Sequence, residues 1–340
     1  MNTSIGWVAG GYAFPEGRLQ AADLAMRTGI PEEIIRTKFG LLEKRVGGEE
    51  DQISRLALQA AQKALMKAKI DPGEIDLIIY SGSEFKDYRL WSAGAYLQHA
   101  IGAKRALAFD VMALCAGGLV GLQVARAMLS RNPSWRYALL VAASREASLL
   151  NYEDQKSRFM FTFGDGAAAV ILGKGPQYHP ILGTAAITDG SFHDDVKVPG
   201  GGTRLPPWGP VPKEDLYLQV KDPLSLKERL DPVSLPRFLE VVDRALGEAG
   251  LSRKDLDFLF PVHMKRSMHQ KLLETLSLRE DQGYYLERYG HVQAADPFLG
   301  LLLAEEDGWL RDGQILGLVA AGTGYTWAAA ILRWRVQEEG

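Results

Sequence analysis

Few residues in this 340-residue chain could act as nucleophile or base, because it holds one cysteine and six histidines. Cys115 lies in Ala106-Leu-Ala-Phe-Asp-Val-Met-Ala-Leu-Cys115-Ala-Gly-Gly-Leu-Val-Gly, where a short apolar run gives way to small residues. The pattern predicts a strand that ends just before a helix. At such a junction the first helical N–H groups lack partners and the helix dipole favours an anion, conditions that promote a nucleophilic thiolate. Small residues at 116–118 leave room for a substrate. The same position also suits a buried, inert thiol, so a base has to be found before Cys115 is read as a nucleophile.

Two histidines are placed to supply one. His263 closes the apolar run Phe258-Leu-Phe-Pro-Val262 and so projects from a rigid element, and His291 follows Tyr289-Gly290 ahead of a predicted helix. Strand ends and helix starts are where α/β proteins place reactive groups. His99 reads as a surface or packing residue of a helix over 94–100, His179 as a turn residue before Pro180, and His269 as part of a helix face. His193 stands beside Asp194 and Asp195, which is compatible with a metal contact. One cysteine and dispersed histidines form no recognisable zinc spacing, however, and no metal is expected.

The elements that must carry these groups repeat. Laying Asp76 on Asp257, a shift of 257 − 76 = 181, also pairs Ala64 with Ala245, Leu65 with Leu246, Ile75 with Leu256 and Ile78 with Leu259. In each copy an amphipathic helix (53–68, 234–249) leads through a short turn, started by Asp71-Pro72 or Ser252, into a buried strand (77–80, 258–262). The copies end alike: Gly164-Asp-Gly-Ala-Ala-Ala-Val-Ile-Leu172 resembles Gly322-Thr-Gly-Tyr-Thr-Trp-Ala-Ala-Ala-Ile-Leu332, each after a strand candidate, 137–143 or 315–321. Two matches in the same order predict a duplicated α/β architecture with halves 1–174 and 175–340. Residues 190–232, rich in proline and glycine, fit neither copy and read as a loop-rich insertion.

Bulk properties exclude other classes. With 46% apolar and 24% charged residues, a net charge of −3 and a pI near 6.1, the chain reads as a globular protein without a nucleic-acid or anionic-membrane partner. A single cysteine forms no intrachain disulfide, which fits a reducing cytoplasm. No signal peptide and no apolar run of the roughly 20 residues needed to span a bilayer are read from it.

Together these segments resemble the thiolase-fold condensing enzymes, most closely the 3-oxoacyl-acyl-carrier-protein synthase III group. The resemblance rests on Ala108–Gly117 around the cysteine, Phe163-Gly-Asp-Gly-Ala-Ala-Ala169, Pro199-Gly-Gly-Gly-Thr-Arg204, Tyr289-Gly-His291 and Gly324-Tyr-Thr-Trp-Ala-Ala-Ala-Ile-Leu-Arg-Trp334. It implies a five-layer αβαβα fold, a homodimer paired through strand 105–112, and no permanently bound cofactor. The implied chemistry moves an acyl group from coenzyme A to Cys115; a malonyl thioester on coenzyme A or acyl carrier protein then loses CO2 and attacks the acyl-enzyme. Cys115 is then the nucleophile, His263 matches the family histidine, and the backbone N–H groups of Cys115 and Thr323 form the oxyanion hole.

This chain departs from the family pattern in several places. His291 stands where the group carries asparagine, Ala321 where it carries phenylalanine, and Ile34 and Lys38 where it carries the tryptophan and arginine that hold coenzyme A. Lys156 and Arg158 are further candidates for its phosphates, and equally plain loop charges. The His291 substitution, with the atypical loop 85–92, keeps open a non-decarboxylating transfer of the acyl group to an alcohol or amine. A 3-hydroxy-3-methylglutaryl-CoA synthase-like condensation and an inert partner subunit rank lower.

Overall fold

The structure, a computed structural model, describes residues 4–335. Its principal sheet contains, in chain order, β1 (Ile5–Ala13), β2 (Ile75–Gly82), β3 (Leu107–Met112), β4 (Tyr137–Ser144), β5 (Gly166–Lys174), β6 (His179–Thr188), β7 (Phe258–Pro261), β8 (Ile315–Gly322) and β9 (Thr326–Arg333). They are arranged β7-β8-β9-β6-β1-β5-β4-β2-β3. The two half-sheets meet only where Gly6 and Trp7 of β1 pair with Pro180 and His179 of β6.

The repeat read from sequence has a matching pattern of strand pairing. In the first half β2 runs parallel to β4, and β4 antiparallel to β5, which pairs with β1. In the second half β7 runs parallel to β8, and β8 antiparallel to β9, which pairs with β6. Asp76 and Asp257 do the same work in each: the Asp76 carboxylate accepts from the N–H groups of Arg136 and Tyr137 at the start of β4, and that of Asp257 from the N–H of Ile315 at the start of β8. The counterpart of β3 is reduced to one parallel bridge between Leu259 and Gly283.

Among the helices of the described residues are α1 (Ile53–Ala68), α2 (Ala93–Ile101), α3 (Gly117–Arg131), α4 (Pro223–Glu248), α5 (Arg266–Thr275) and α6 (Asp296–Glu306). Helix α1 buries Ile53, Leu56, Ala57, Ala60, Ala61, Ala64 and Leu65, one stripe at spacings of three and four, against the first half-sheet. Helix α4 covers β6 and β9 of the second. Between the half-sheets lie α3 and α6, which touch strands of both, and α6 is accordingly buried all round from Asp296 to Ala304. The result is the five-layer αβαβα order.

Two expectations need correction. Helix α4 begins at Pro223 rather than at 234, so the last part of the supposed loop insertion is helical. Asp222 caps it, accepting from the N–H groups of Leu224 and Ser225, and Pro223 fits the first turn, where an N–H is dispensable. Pro232 and Pro236 sit inside it, and the breaker character of Pro232 concealed the part that precedes residue 234. His179 is the first residue of β6 rather than a turn residue; it is buried, stacks on Trp334 at 3.8 Å, and accepts from the Arg335 N–H.

Candidate active site

Strand β3 ends at Met112, and the chain turns through Leu114, a non-glycine residue at φ +49°. Cys115 follows in a single 3-10 turn, Leu114–Ala116, that runs into α3 at Gly117. Left-handed backbone at a β-carbon-bearing residue is strained and persists where the surroundings enforce it. Here two close approaches do so. A Cβ on Gly118 would stand 2.3 Å from the Ala294 carbonyl oxygen, and one on Gly322 would stand 2.9 Å from the nitrogens of Cys115 and Ala116. The ends of β8 and of the His291 segment therefore press directly on the cysteine turn.

His291 is delivered by backbone on both sides. Its N–H donates to the Thr162 carbonyl at 2.8 Å, its own carbonyl accepts from Gly164 N–H at 2.9 Å, and the Phe163 ring meets its imidazole edge-on at 4.7 Å. The 161–163 stretch is itself held by Lys44, whose fully buried Nζ donates to the Phe161 and Phe163 carbonyls at 2.7 and 2.6 Å. Burial lowers the Lys44 ammonium to about 7.

The imidazole links the cysteine to a carboxylate. His291 Nε2 lies 3.1 Å from Cys115 Sγ, and Nδ1 lies 2.5 Å from Asp296 Oδ2. Asp296, fully buried at the start of α6, also accepts from the Val292 N–H at 2.6 Å and the His263 N–H at 2.7 Å. Burial alone would depress His291. The charges of Cys115 and Asp296 and their hydrogen bonds override it, so His291 is held well above its ordinary value and favours the imidazolium. Thus Cys115, His291 and Asp296 form a continuous thiol–imidazole–carboxylate chain, an arrangement able to activate a nucleophile. Asp296 was not singled out from the sequence; its one local signal is an acidic residue before Pro297, five positions after His291.

His263 has the opposite character. Its ring is buried with no hydrogen-bond partner on either nitrogen among the described residues; the Phe39 carbonyl faces it without forming a bond, and Tyr285 packs on it at 4.9 Å. Desolvation, reinforced by the neighbouring His291, His269 and Arg266, lowers it to about 3. A neutral imidazole with free nitrogens can accept or donate one hydrogen bond to whatever enters the site.

Cys115, His263, His291 and Thr323 all line one cavity of ≈ 200 Å³, walled by Phe39, Phe159, Phe163, Phe238, Met264 and Met268 among others. Ala321 also borders it. Ile34 and Lys38 are exposed on the short helical stretch that leads to Phe39. Lys156 and Arg158 are exposed; Lys156 borders a separate cleft with Asn151, Asp154, Lys197 and Lys221. His99 lies on α2 and His269 is buried on α5. Asp194 is paired with Lys197 and Lys221, and Asp195 with Arg229, so the carboxylates beside His193 already have cations.

Comparison with known proteins identifies the family. The family model described as 3-oxoacyl-[acyl-carrier-protein] synthase III matches residues 109–190, and its C-terminal companion matches 246–334. The chain is 32% identical over 331 residues to a beta-ketoacyl-[acyl-carrier-protein] synthase III of Roseiflexus castenholzii, covering 97% of each chain. It is 31% identical over 332 residues to one of Chlamydia caviae, covering 96% of each. The crystal structure of 3-oxoacyl-[acyl-carrier-protein] synthase III from Aquifex aeolicus matches with a TM-score of 0.84 at 26% identity, over 97% of this chain and 100% of the other. With its thiolase fold and these full-length matches, the chain belongs to the 3-oxoacyl-[acyl-carrier-protein] synthase III family of acyltransferases.

Proposed function

We propose that this chain takes an acyl group from a thioester onto Cys115 and condenses it with a malonyl thioester. The observation that carries the reading is the Cys115–His291–Asp296 chain at the foot of a cavity that also presents the unpartnered ring of His263. In the first half-reaction His291 accepts the Cys115 proton and the sulfur attacks the thioester carbonyl. The oxygen gains charge facing the N–H groups of Cys115 and Thr323, the pair we assign as oxyanion hole. Collapse expels the donor thiolate, which takes the proton back from His291. In the second, the malonyl carboxylate leaves as CO2, its electron pair forms an enolate, and the enolate carbon attacks the acyl carbonyl and releases Cys115. His263 donates a hydrogen bond to the enolate oxygen as it forms; His291 donates from Nε2 after taking a proton from solvent, and the released Cys115 thiolate then pairs with that imidazolium.

The donor is read as acyl-CoA and the acceptor as malonyl-acyl carrier protein or malonyl-CoA, in line with the names of the relatives. Ile34, Lys38, Lys156 and Arg158 are the assigned coenzyme A contacts, with Ile34 supplying no aromatic face for the adenine. We assign the halves to 1–174 and 175–340, because β5 closes the first pairing pattern at Lys174 and β6 opens the second. A homodimer forms through β3, the terminal strand of the sheet order, beside exposed Phe85, Tyr88 and Leu90. A monomer by light scattering at micromolar concentration would refute it. The described helices include none long and apolar enough to cross a membrane, and the reading places the enzyme in the cytoplasm.

The Asp296-oriented imidazole favours one further reading, transfer of the acyl group to an alcohol or amine. That reaction needs a base to remove the acceptor's proton, and His291 is built as one. Once Cys115 carries the acyl group, decarboxylative condensation needs only a donor at this position. His291→Asn separates the two: it supplies an amide N–H but no base. Acyl-CoA incubation with mass spectrometry reads loading of Cys115, and a panel of acceptors reads CO2 release and product. Condensation by His291→Asn protein once Cys115 is loaded, however slowly loading proceeds without the base, supports the first reading. Loss of all transfer, with an ester or amide formed by the unsubstituted protein and no CO2 released, supports the second.

A further inference from the structure

Between His291 and Asp296 the chain makes an unusual turn. Gln293 is a non-glycine residue at φ +53°, buried, in the single 3-10 turn Gln293–Ala295 that abuts the cysteine turn. This bend returns Asp296 toward His291 within five residues, close enough for one carboxylate to hold His291 Nδ1, Val292 N–H and His263 N–H together. An unanchored side-chain-bearing residue leaves the left-handed region for an ordinary one.

Gln293 is anchored. Its Nε2 donates at 2.7 Å to Glu146 Oε1, a buried carboxylate beyond the end of β4. Glu146 is fixed in turn by the Ser83 hydroxyl just beyond β2, the Ser144 hydroxyl at the end of β4, and the Arg145 N–H at 2.9 Å. The other amide atom, Gln293 Oε1, is buried with no partner among the described residues. The side chain therefore keeps an arrangement that satisfies only its donor end, and that donor meets a charged acceptor, the stronger type of hydrogen bond.

We propose that Gln293 is a positioning residue: its bond to Glu146 holds the left-handed turn that brings Asp296 behind His291, and so sets His291 against Cys115. Glu146 transmits the geometry of β2 and β4 to that turn, while neither residue touches the sulfur.

The proposal rests on the reading of Cys115 as the reacting thiol paired with His291, and the test keeps the two apart. Alkylation of Cys115 by iodoacetamide is followed by mass spectrometry across the acid-to-alkaline range on the full chain. The titratable groups facing the sulfur are His291 and Tyr325, with His263 beyond His291. An unsubstituted protein that alkylates like a free thiol sinks the functional reading itself. Given a perturbed profile there, Gln293→Ala removes the anchor and keeps the cost of φ > 0; alkylation at neutral pH is expected to fall by on the order of tenfold, with the acid limb moved toward that of an ordinary thiol. Gln293→Gly removes the same bond without that cost and is expected to regain most of the rate. A Gln293→Ala profile identical to the unsubstituted one overturns the proposal, as does a Gln293→Gly variant as impaired as Gln293→Ala. If Gln293→Ala does not fold, Gln293→Gly decides by the same criterion. Failure of both to fold also overturns it, since Gln293 would then serve the core rather than the site.

Discussion

Asp296→Asn is the substitution that most directly tests the acid–base chain. The carboxylate accepts three hydrogen bonds, from His291 Nδ1, Val292 N–H and His263 N–H, and an amide of the same shape has an acceptor at only one end. With its oxygen toward His291 and His263, its NH2 opposes the Val292 N–H; turned the other way, it opposes the His263 N–H and forces His291 to carry its proton on Nε2, facing the sulfur. Either way the negative charge that raises His291 is lost. A hydrogen bond to a charged group contributes about 1.5–3 kcal/mol, and at about 1.4 kcal/mol per pKa unit the basicity of His291 drops by roughly one to two units. The sign follows from the protonated form: Asp296 stabilises the imidazolium, so its removal disfavours the imidazolium–thiolate pair at neutral pH. Acylation of Cys115 at pH 7 is expected to fall about 10- to 100-fold, with rate recovering as the pH rises and the thiol ionises unaided. The assay is the initial rate of acyl mass gained on Cys115 from acyl-CoA, measured against pH beside a circular-dichroism check of folding. A buried donor left unpaired costs about 1–3 kcal/mol, so a melting temperature lower by a few degrees is expected and does not weaken the kinetic result. Acylation within twofold of the unsubstituted protein, with the same pH dependence, would refute the role given to Asp296.

Other outcomes follow from the same geometry. His263→Ala is expected to spare acylation and to slow decarboxylation by about 10²–10³-fold, the typical effect of one lost transition-state donor; equal loss in both half-reactions would remove the division of labour between the histidines. Gly322→Ala places a methyl group 2.6 Å from the Ala113 oxygen and 2.9 Å from the Cys115 nitrogen. It is expected to lower acylation at least about tenfold through displacement of the oxyanion donors, and an unaltered rate would show that the turn can yield freely. Burial, aided by Arg266, holds His269 near 4, below its ordinary 6.5. The unfolded chain therefore binds the extra proton, and stability falls as pH drops through that window, by up to about 1.4 kcal/mol per pH unit. In urea melts His269→Gln should lack that contribution; stability–pH curves parallel to those of the unsubstituted protein would exclude a neutral His269.

Local features of the sequence determined a good deal. Apolar periodicity marked α1 and the buried strands, and the 181-residue offset exposed two copies whose equivalent aspartates brace equivalent strand starts. Small residues after an apolar run placed Cys115 at a strand–helix junction, and motif resemblance singled out His263 and His291. These signals are readable because each depends on neighbours within a turn or on a repeated pattern. Tertiary structure alone decided the rest. The His291–Cys115 bond joins residues 176 apart, and the Asp296–His263 bond joins residues 33 apart. Direction, not presence, was the missing quantity: the sequence names an imidazole, while the packing of the 161–164 segment, held by Lys44, points its Nε2 at the sulfur, whereas neither ring nitrogen of His263 has a partner among the described residues. The same holds for α4, where tertiary burial of Phe238, Val241 and Val242 overrides two helix-disfavouring prolines, and for Asp296, an ordinary helix-start acid in sequence that holds the His291 imidazole in place while donors from two segments, 291–292 and the stretch just beyond β7, converge on it.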